Sequence, residues 1–103
     1  MERVLDDEDM ARSIMDGFLS DIPVQIARLK ERLDSGDTNT AARQAHSIKG
    51  AAANVGGRAL RAVACEMEKA GKVGDLDSMA GKVDELEAQF EALKQQMETT
   101  ACL

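Results

Sequence analysis

The chain has 103 residues, a formal net charge of −6 and only two aromatic residues, Phe18 and Phe90. At this length one domain over residues 1–103 is expected, with a small core of Leu, Ile, Val, Met and Ala. The acid excess argues against nucleic acid and anionic membrane surfaces as partners, since both want a basic face. No apolar run nears the roughly 18 residues of a spanning helix. The opening Met1-Glu2-Arg3-Val4-Leu5-Asp6-Asp7 lacks the apolar core of a signal peptide. Cys65 and Cys102 have no evident reason to pair, so reduced thiols in a cytoplasmic setting are expected.

One proline and many Ala, Glu, Lys and Leu favour helix throughout, and neither a strand pattern nor an internal repeat is present. A first helix is predicted from about Asp7 to Leu19. Asp6, Asp7, Glu8 and Asp9 suit the positive end of its dipole, and Ala11, Ile14, Met15 and Phe18 form its apolar face. Ser20-Asp21-Ile22-Pro23 reads as a cap and a first-turn proline, opening a second helix through Ile26, Leu29 and Leu33 to about Asp34. The apolar stripe keeps its phase across Pro23, so one kinked helix fits nearly as well as two.

Gly36 ends this segment, and Asp37 or Thr38 caps the next helix, at about residues 38 to 54. Gly56-Gly57 permits a tight reversal. A further helix runs from about Arg58 to Gly71, with Leu60, Val63, Ala64, Met67 and Ala70 inward. Gly71 and Gly74 frame a loop, and Asp75 caps the last helix, from about Leu76 to Glu98. Its stripe of Leu76, Met79, Val83, Leu86, Phe90, Leu93 and Met97 is unbroken. Short connections make neighbours antiparallel. The expected fold is all-α: an up-down-up-down antiparallel four-helix bundle with a short or kinked extra N-terminal helix. Its loops are too short for an active-site lid, so chemistry must sit on the outer face of a helix.

The chain has one histidine, His46. Ala41, Ala45, Ile48, Ala52 and Val55 form an apolar stripe at helical spacing, and His46 points about 140° from its centre. It therefore faces outward. Its helical neighbours are Ala42, Arg43, Lys49 and Gly50, with Ala53 a turn further on. The imidazole is thus expected on a low platform of Ala42, Gly50 and Ala53, with Arg43 and Lys49 beside it. Gly50 is informative, because glycine mid-helix costs about 1 kcal/mol relative to alanine. A side chain there would partly cover the ring.

The run Ala45-His46-Ser47-Ile48-Lys49-Gly50-Ala51-Ala52-Ala53-Asn54-Val55-Gly56 resembles the signature of the histidine-containing phosphotransfer (HPt) domain. The resemblance extends to Leu60 and Cys65-Glu66-Met67-Glu68, and back to Phe18-Leu19, Pro23 and Ser35-Gly36-Asp37. It implies that His46 carries a phosphoryl group on its outward nitrogen, Nε2, reversibly between two receiver aspartates. A neutral imidazole nitrogen is a competent nucleophile, and nearby cations stabilise the equatorial oxygens in transfer. Lys49 is the first candidate for that task and Arg43 the second. Arg61, Lys69 and Lys72 could contribute, depending on how their helix rotates. A carboxylate facing the phosphoryl group would repel it, so Glu68 is expected to point elsewhere or to pair with a cation.

The sequence holds no phosphate-binding Gly-rich loop and no sheet for a nucleotide, so no autonomous ATP-dependent kinase activity is expected. The resemblance implies response-regulator receiver domains as partners, with Mg2+ supplied by the receiver and no cofactor or metal of the chain's own. The chain is either free-standing or the HPt domain of a hybrid sensor histidine kinase. A monomer is expected, because the last helix is needed inside the bundle. Ala42, Gly50 and Ala53 let a receiver approach. Met10, Ile14 and Met15 exceed what one apolar stripe needs and form a candidate docking patch, although core packing is the plainer use of them. Two rival readings are a helical adaptor without chemistry and a metal or haem bundle. The latter fares poorly, since one outward histidine among alanines offers no ligand set.

Overall fold

Three glycines in left-handed backbone set where the chain turns: Gly36, Gly56 and Gly74, with φ of 75°, 74° and 75°. Each follows a helix, and each is closed by the same pair of hydrogen bonds. Gly36 and Asp37 donate to the carbonyls of Leu33 and Arg32, Gly56 and Gly57 to those of Ala53 and Ala52, and Gly74 and Asp75 to those of Gly71 and Ala70. This is the Schellman arrangement, which satisfies end carbonyls and favours glycine at the residue with positive φ. Asp37 and Asp75 then cap the following helices, accepting from the backbone N–H of Thr40 at 3.2 Å and of Ser78 at 3.1 Å.

The computed structural model describes the backbone of residues 2–102 and the side chains of residues 16–98. The helices are α1 (Glu2–Asp34), α2 (Thr38–Asn54), α3 (Arg58–Lys72), α4 (Leu76–Gly81) and α5 (Val83–Cys102). The described residues contain no strand, and no helix among them is long and apolar enough to cross a membrane. The helices form a bundle. α2 lies between α1 and α3, and α5 closes against α1 and α3. Ile22, Leu29, Ile48, Leu60, Met67, Met79 and Leu86 are fully buried at its centre. The rings of Phe18 and Phe90, 6.0 Å apart and tilted, join α1 to α5.

Three boundaries differ from those read in the sequence. First, α1 runs through Pro23 as one helix. Phe18, Ile22, Ile26, Leu29 and Leu33 are all buried, so one apolar stripe holds both halves on the same side of the bundle. Pro23 lies on the exposed side and removes a single ladder donor. Second, α3 extends one residue past Gly71, to Lys72, and Gly71 is buried against α2 instead of facing a loop. Third, the last segment is two helices, interrupted at Lys82 after Gly81, a weak helix former. The Lys82 N–H bonds back to Met79 at 3.1 Å, and its carbonyl already accepts from Leu86 at 2.9 Å, so the apolar stripe passes the break almost in phase.

Gly71 and Gly50 carry opposite expectations. A Cβ at Gly71 would stand 2.7 Å from the Ala42 Cβ and 3.0 Å from the end of Met79, while one at Gly50 would meet nothing within 4 Å. Gly71→Ala should therefore destabilise by about 1–3 kcal/mol through overpacking. Gly50→Ala should stabilise by roughly 0.5–1 kcal/mol. Urea denaturation of the two variants checks both signs.

Candidate functional site

The rotation of α3 is fixed by its charged residues. Glu66 points to the α4–α5 side, where it pairs with Lys82 at 2.7 Å. Glu68, two residues on, falls on the edge facing α2, and Lys72 follows one turn later on that edge. On α2 the buried residues Ala41, Ala42, Ala45, Ile48 and Ala52 turn His46 outward, with 65% of its side chain exposed. The two edges meet at one point. The Nδ1 of His46 lies 2.9 Å from Oε2 of Glu68.

Glu68 is buried, with 9% of its side chain exposed. Lys49 reaches its Oε1 at 2.6 Å, and Lys72 approaches Oε2 at 3.4 Å. A carboxylate inside a bundle is costly unless paired and hydrogen-bonded. Here the Lys49 ammonium, above all, outweighs the cost of burial and holds the Glu68 pKa down at about 2, with Lys72 and His46 adding to it. An ionised carboxylate only accepts hydrogen bonds, so the proton in the His46 contact belongs to Nδ1. The lone pair of the neutral ring is then on Nε2, on the side away from Glu68.

Beside the ring is an open groove of about 470 Å³, lined by Asn39, Ala42, Arg43, His46, Glu68 and Lys72. Arg43 is exposed on its α2 wall and Lys72 on its α3 wall. On the other side of His46 the surface is low: Gly50 and Ala53 are exposed, and nothing stands over Gly50.

Formal charge is unevenly distributed along the chain. Residues 38–72 hold six cations, Arg43, Lys49, Arg58, Arg61, Lys69 and Lys72, against the two carboxylates Glu66 and Glu68, a net of +4. The remaining 68 residues hold seven cations against seventeen carboxylates, a net of −10. An outward histidine on a helix pair, tied to a buried carboxylate and set in a basic zone of an acidic protein, is a site built to meet an anion. The family model described as Hpt domain matches residues 13–96.

The chain belongs to the Hpt domain family. Phosphotransfer in two-component signalling is the function that membership carries. No curated protein and no solved structure matches the chain significantly.

Within this Hpt domain, the residues singled out from sequence fall into four groups. His46, Gly50 and Ala53 share the exposed face of α2, as their helical spacing requires. Ala42 does not share it. It is 7% exposed, at the floor of the groove, because α3 presses Gly71 against its methyl group. Lys49 and Arg43 flank the ring, but Lys49 is turned toward Glu68 and only 26% exposed, whereas Arg43 makes no ion pair with any described residue. Ile14 and Met15, with Met10, lie outside the residues whose side chains are described. Among the described residues, no group of three or more His, Cys, Asp and Glu is placed to hold a metal ion.

Sequence reading assigned Glu68 no place at the site. The expectation that it would pair with a cation holds, but it does so while facing the histidine. A signal was present: Glu68 lies one residue past Met67, four past Ala64 and three before Gly71, all buried. A lone acid at the margin of an apolar arc is either mispositioned or paired.

The low pKa of Glu68 has a sign that can be tested. A carboxylate held at about 2 in the folded state, against an ordinary 4.5, contributes stability that is complete above about pH 5 and is lost as pH falls toward 2. Thermal unfolding between pH 7 and pH 2 should show this loss in the native protein. In Glu68→Gln the loss across that window should be smaller.

Proposed function

We propose that this Hpt domain is a phosphorelay intermediate, accepting a phosphoryl group on Nε2 of His46 from one receiver aspartate and passing it to another. The bundle is proposed to run up-down-up-down and to act as a monomer in the cytoplasm. The His46 chemistry is the same in a free-standing shuttle and in a domain of a hybrid sensor histidine kinase. The observation that carries the reading is the contact between Nδ1 and Glu68, which aims the other nitrogen at solvent.

The donor is an acyl phosphate on a receiver. The Nε2 lone pair attacks phosphorus, the N–P bond forms, and the bond to the aspartyl oxygen breaks, leaving a carboxylate. The proton on Nδ1 stays in place, so the phosphorylated ring becomes an imidazolium. Glu68 is too weak a base to remove that proton, and its negative charge stabilises the cation. Its part is that of a positioning residue: it selects the tautomer and holds the ring angle. The reverse sequence delivers the group to a second aspartate. Any magnesium ion at the junction is the receiver's contribution.

The surroundings support an approach by a receiver. Gly50 and Ala53 keep the α2 face low, and the fold itself does not need the glycine. The net +4 of residues 38–72, the segment that carries the site, complements a partner whose transfer pocket is acidic. Ile14 and Met15 are proposed to extend the docking surface along α1, and Ala42 to sit beneath it.

Incubation with phosphorylated receivers should leave an acid-labile, alkali-stable phosphate on the protein. His46→Gln should retain the helical spectrum and accept none. Glu68→Ala should slow acceptance several-fold, since many of the neutral rings would then carry the proton on Nε2 or stand at an unproductive angle. An intact native protein that binds a phosphorylated receiver without taking up phosphate would establish the adaptor reading instead.

A further inference from the structure

Three cations stand near His46, and their surroundings give them different tasks. Lys49 is mostly covered by the helix pair, with 26% of its side chain exposed, and is joined to Oε1 of Glu68 at 2.6 Å, the shortest ion pair of the site. It does not line the groove beside the ring. Lys72 is 69% exposed and only 3.4 Å from Oε2, an oxygen it shares with His46. It lines the groove on one wall, and Arg43 lines it on the other. A phosphoryl group on the exposed nitrogen brings two negative charges to within about one ring width of Glu68. Lys49 is placed to neutralise the carboxylate, and Lys72 is held loosely enough to leave it.

The geometry points to a division of labour: the phosphoryl group on His46 is received in the groove by Lys72 and Arg43, and Lys49 serves to fix and screen Glu68. This rests on the phosphocarrier reading and assigns its anion-binding residues. On phosphorylation the Lys72 ammonium moves from Oε2 toward the phosphoryl oxygens, a shift within reach of its flexible stem. Glu68 keeps its Lys49 partner and gains an imidazolium in place of a neutral ring, so losing Lys72 leaves it paired. Arg43 has no described carboxylate to leave and closes on the group from α2.

The test uses phosphoramidate as donor, which removes the receiver from the experiment. His46→Gln identifies the phosphorylated residue. The phosphorus resonance of the phosphohistidine is followed with pH, giving the second ionisation of the phosphoryl group. A cation close to the dianion lowers that ionisation, and its removal raises it. Lys72→Ala should raise it by about half a unit or more, and Arg43→Ala should do so in the same direction. Lys72→Arg should restore the native value. Lys49→Ala should have the smaller effect on the phosphoryl group and the larger one on ring tautomer, read from imidazole nitrogen shifts. Acceptance from phosphoramidate should fall roughly tenfold in Lys72→Ala.

A larger effect of Lys49→Ala than of Lys72→Ala on the phosphoryl ionisation would overturn the division. So would a Lys72→Ala protein with unchanged ionisation. Absence of any phosphohistidine in the native protein, with phosphoramidate and with phosphorylated receivers alike, would sink the phosphocarrier reading itself, a result distinct from either of those.

Discussion

A negative charge buried between two helices has to be matched, and most of the site geometry follows from how Glu68 is matched. Its two oxygens take three partners from two helices: Lys49 and His46 from α2, and Lys72 from its own α3. Removing one partner of such a cluster leaves an under-compensated charge, which is why paired buried groups resist rearrangement. The result is a fixed orientation for the one residue that is otherwise free to rotate in solvent. His46 is exposed on most of its surface and held at one atom. Exposure lets partners reach it, and the tether decides which nitrogen they find.

The helix pair can bring these groups together only because its backbones approach closely. Ala42 and Gly71 are the contact. With a side chain at Gly71, the helices would have to separate or shift, and the distances around Glu68 would lengthen with them. Gly57 has a related place at the other end of the pair, where a Cβ would stand 2.7 Å from the Leu93 side chain on α5. Gly50 differs from both. It is exposed, has open space above it, and lies in ordinary helical backbone. Folding alone would prefer alanine there, so its value lies in what it admits from outside. Small residues thus do two jobs on α2: Ala42 admits a neighbouring helix, and Gly50 leaves room for a visiting surface.

Much of this was legible in the sequence. Periodicity on α2 placed His46 opposite a stripe of alanines, and the bounds of that helix follow from Asp37 at one end and Gly56 at the other. Glycine at each of the three turns, and aspartate after two of them, have strong local reasons to be where they are. What was not legible depends on how one helix rotates against another. Glu68 and Glu66 are nearly interchangeable in sequence, yet one is buried against His46 and the other is exposed against Lys82. Ala42 reads as surface from α2 alone and becomes buried only when α3 arrives. Gly71 reads as a helix end because glycine commonly sits there, and its close approach to α2 shows only once the two helices are packed. The break at Lys82 was concealed by a stripe that stays in phase across it.

The account stands on the tautomer of His46. Nitrogen-15 spectroscopy of the imidazole, in the unphosphorylated protein above the pH at which the ring is neutral, reads it directly. The account predicts that the proton resides on Nδ1, coupled to Glu68, and that the unprotonated nitrogen is Nε2. It also predicts that Glu68→Ala returns the ring to the mixture of an unrestrained histidine. A native ring protonated mainly at Nε2, or a tautomer ratio unmoved by Glu68→Ala, would contradict it.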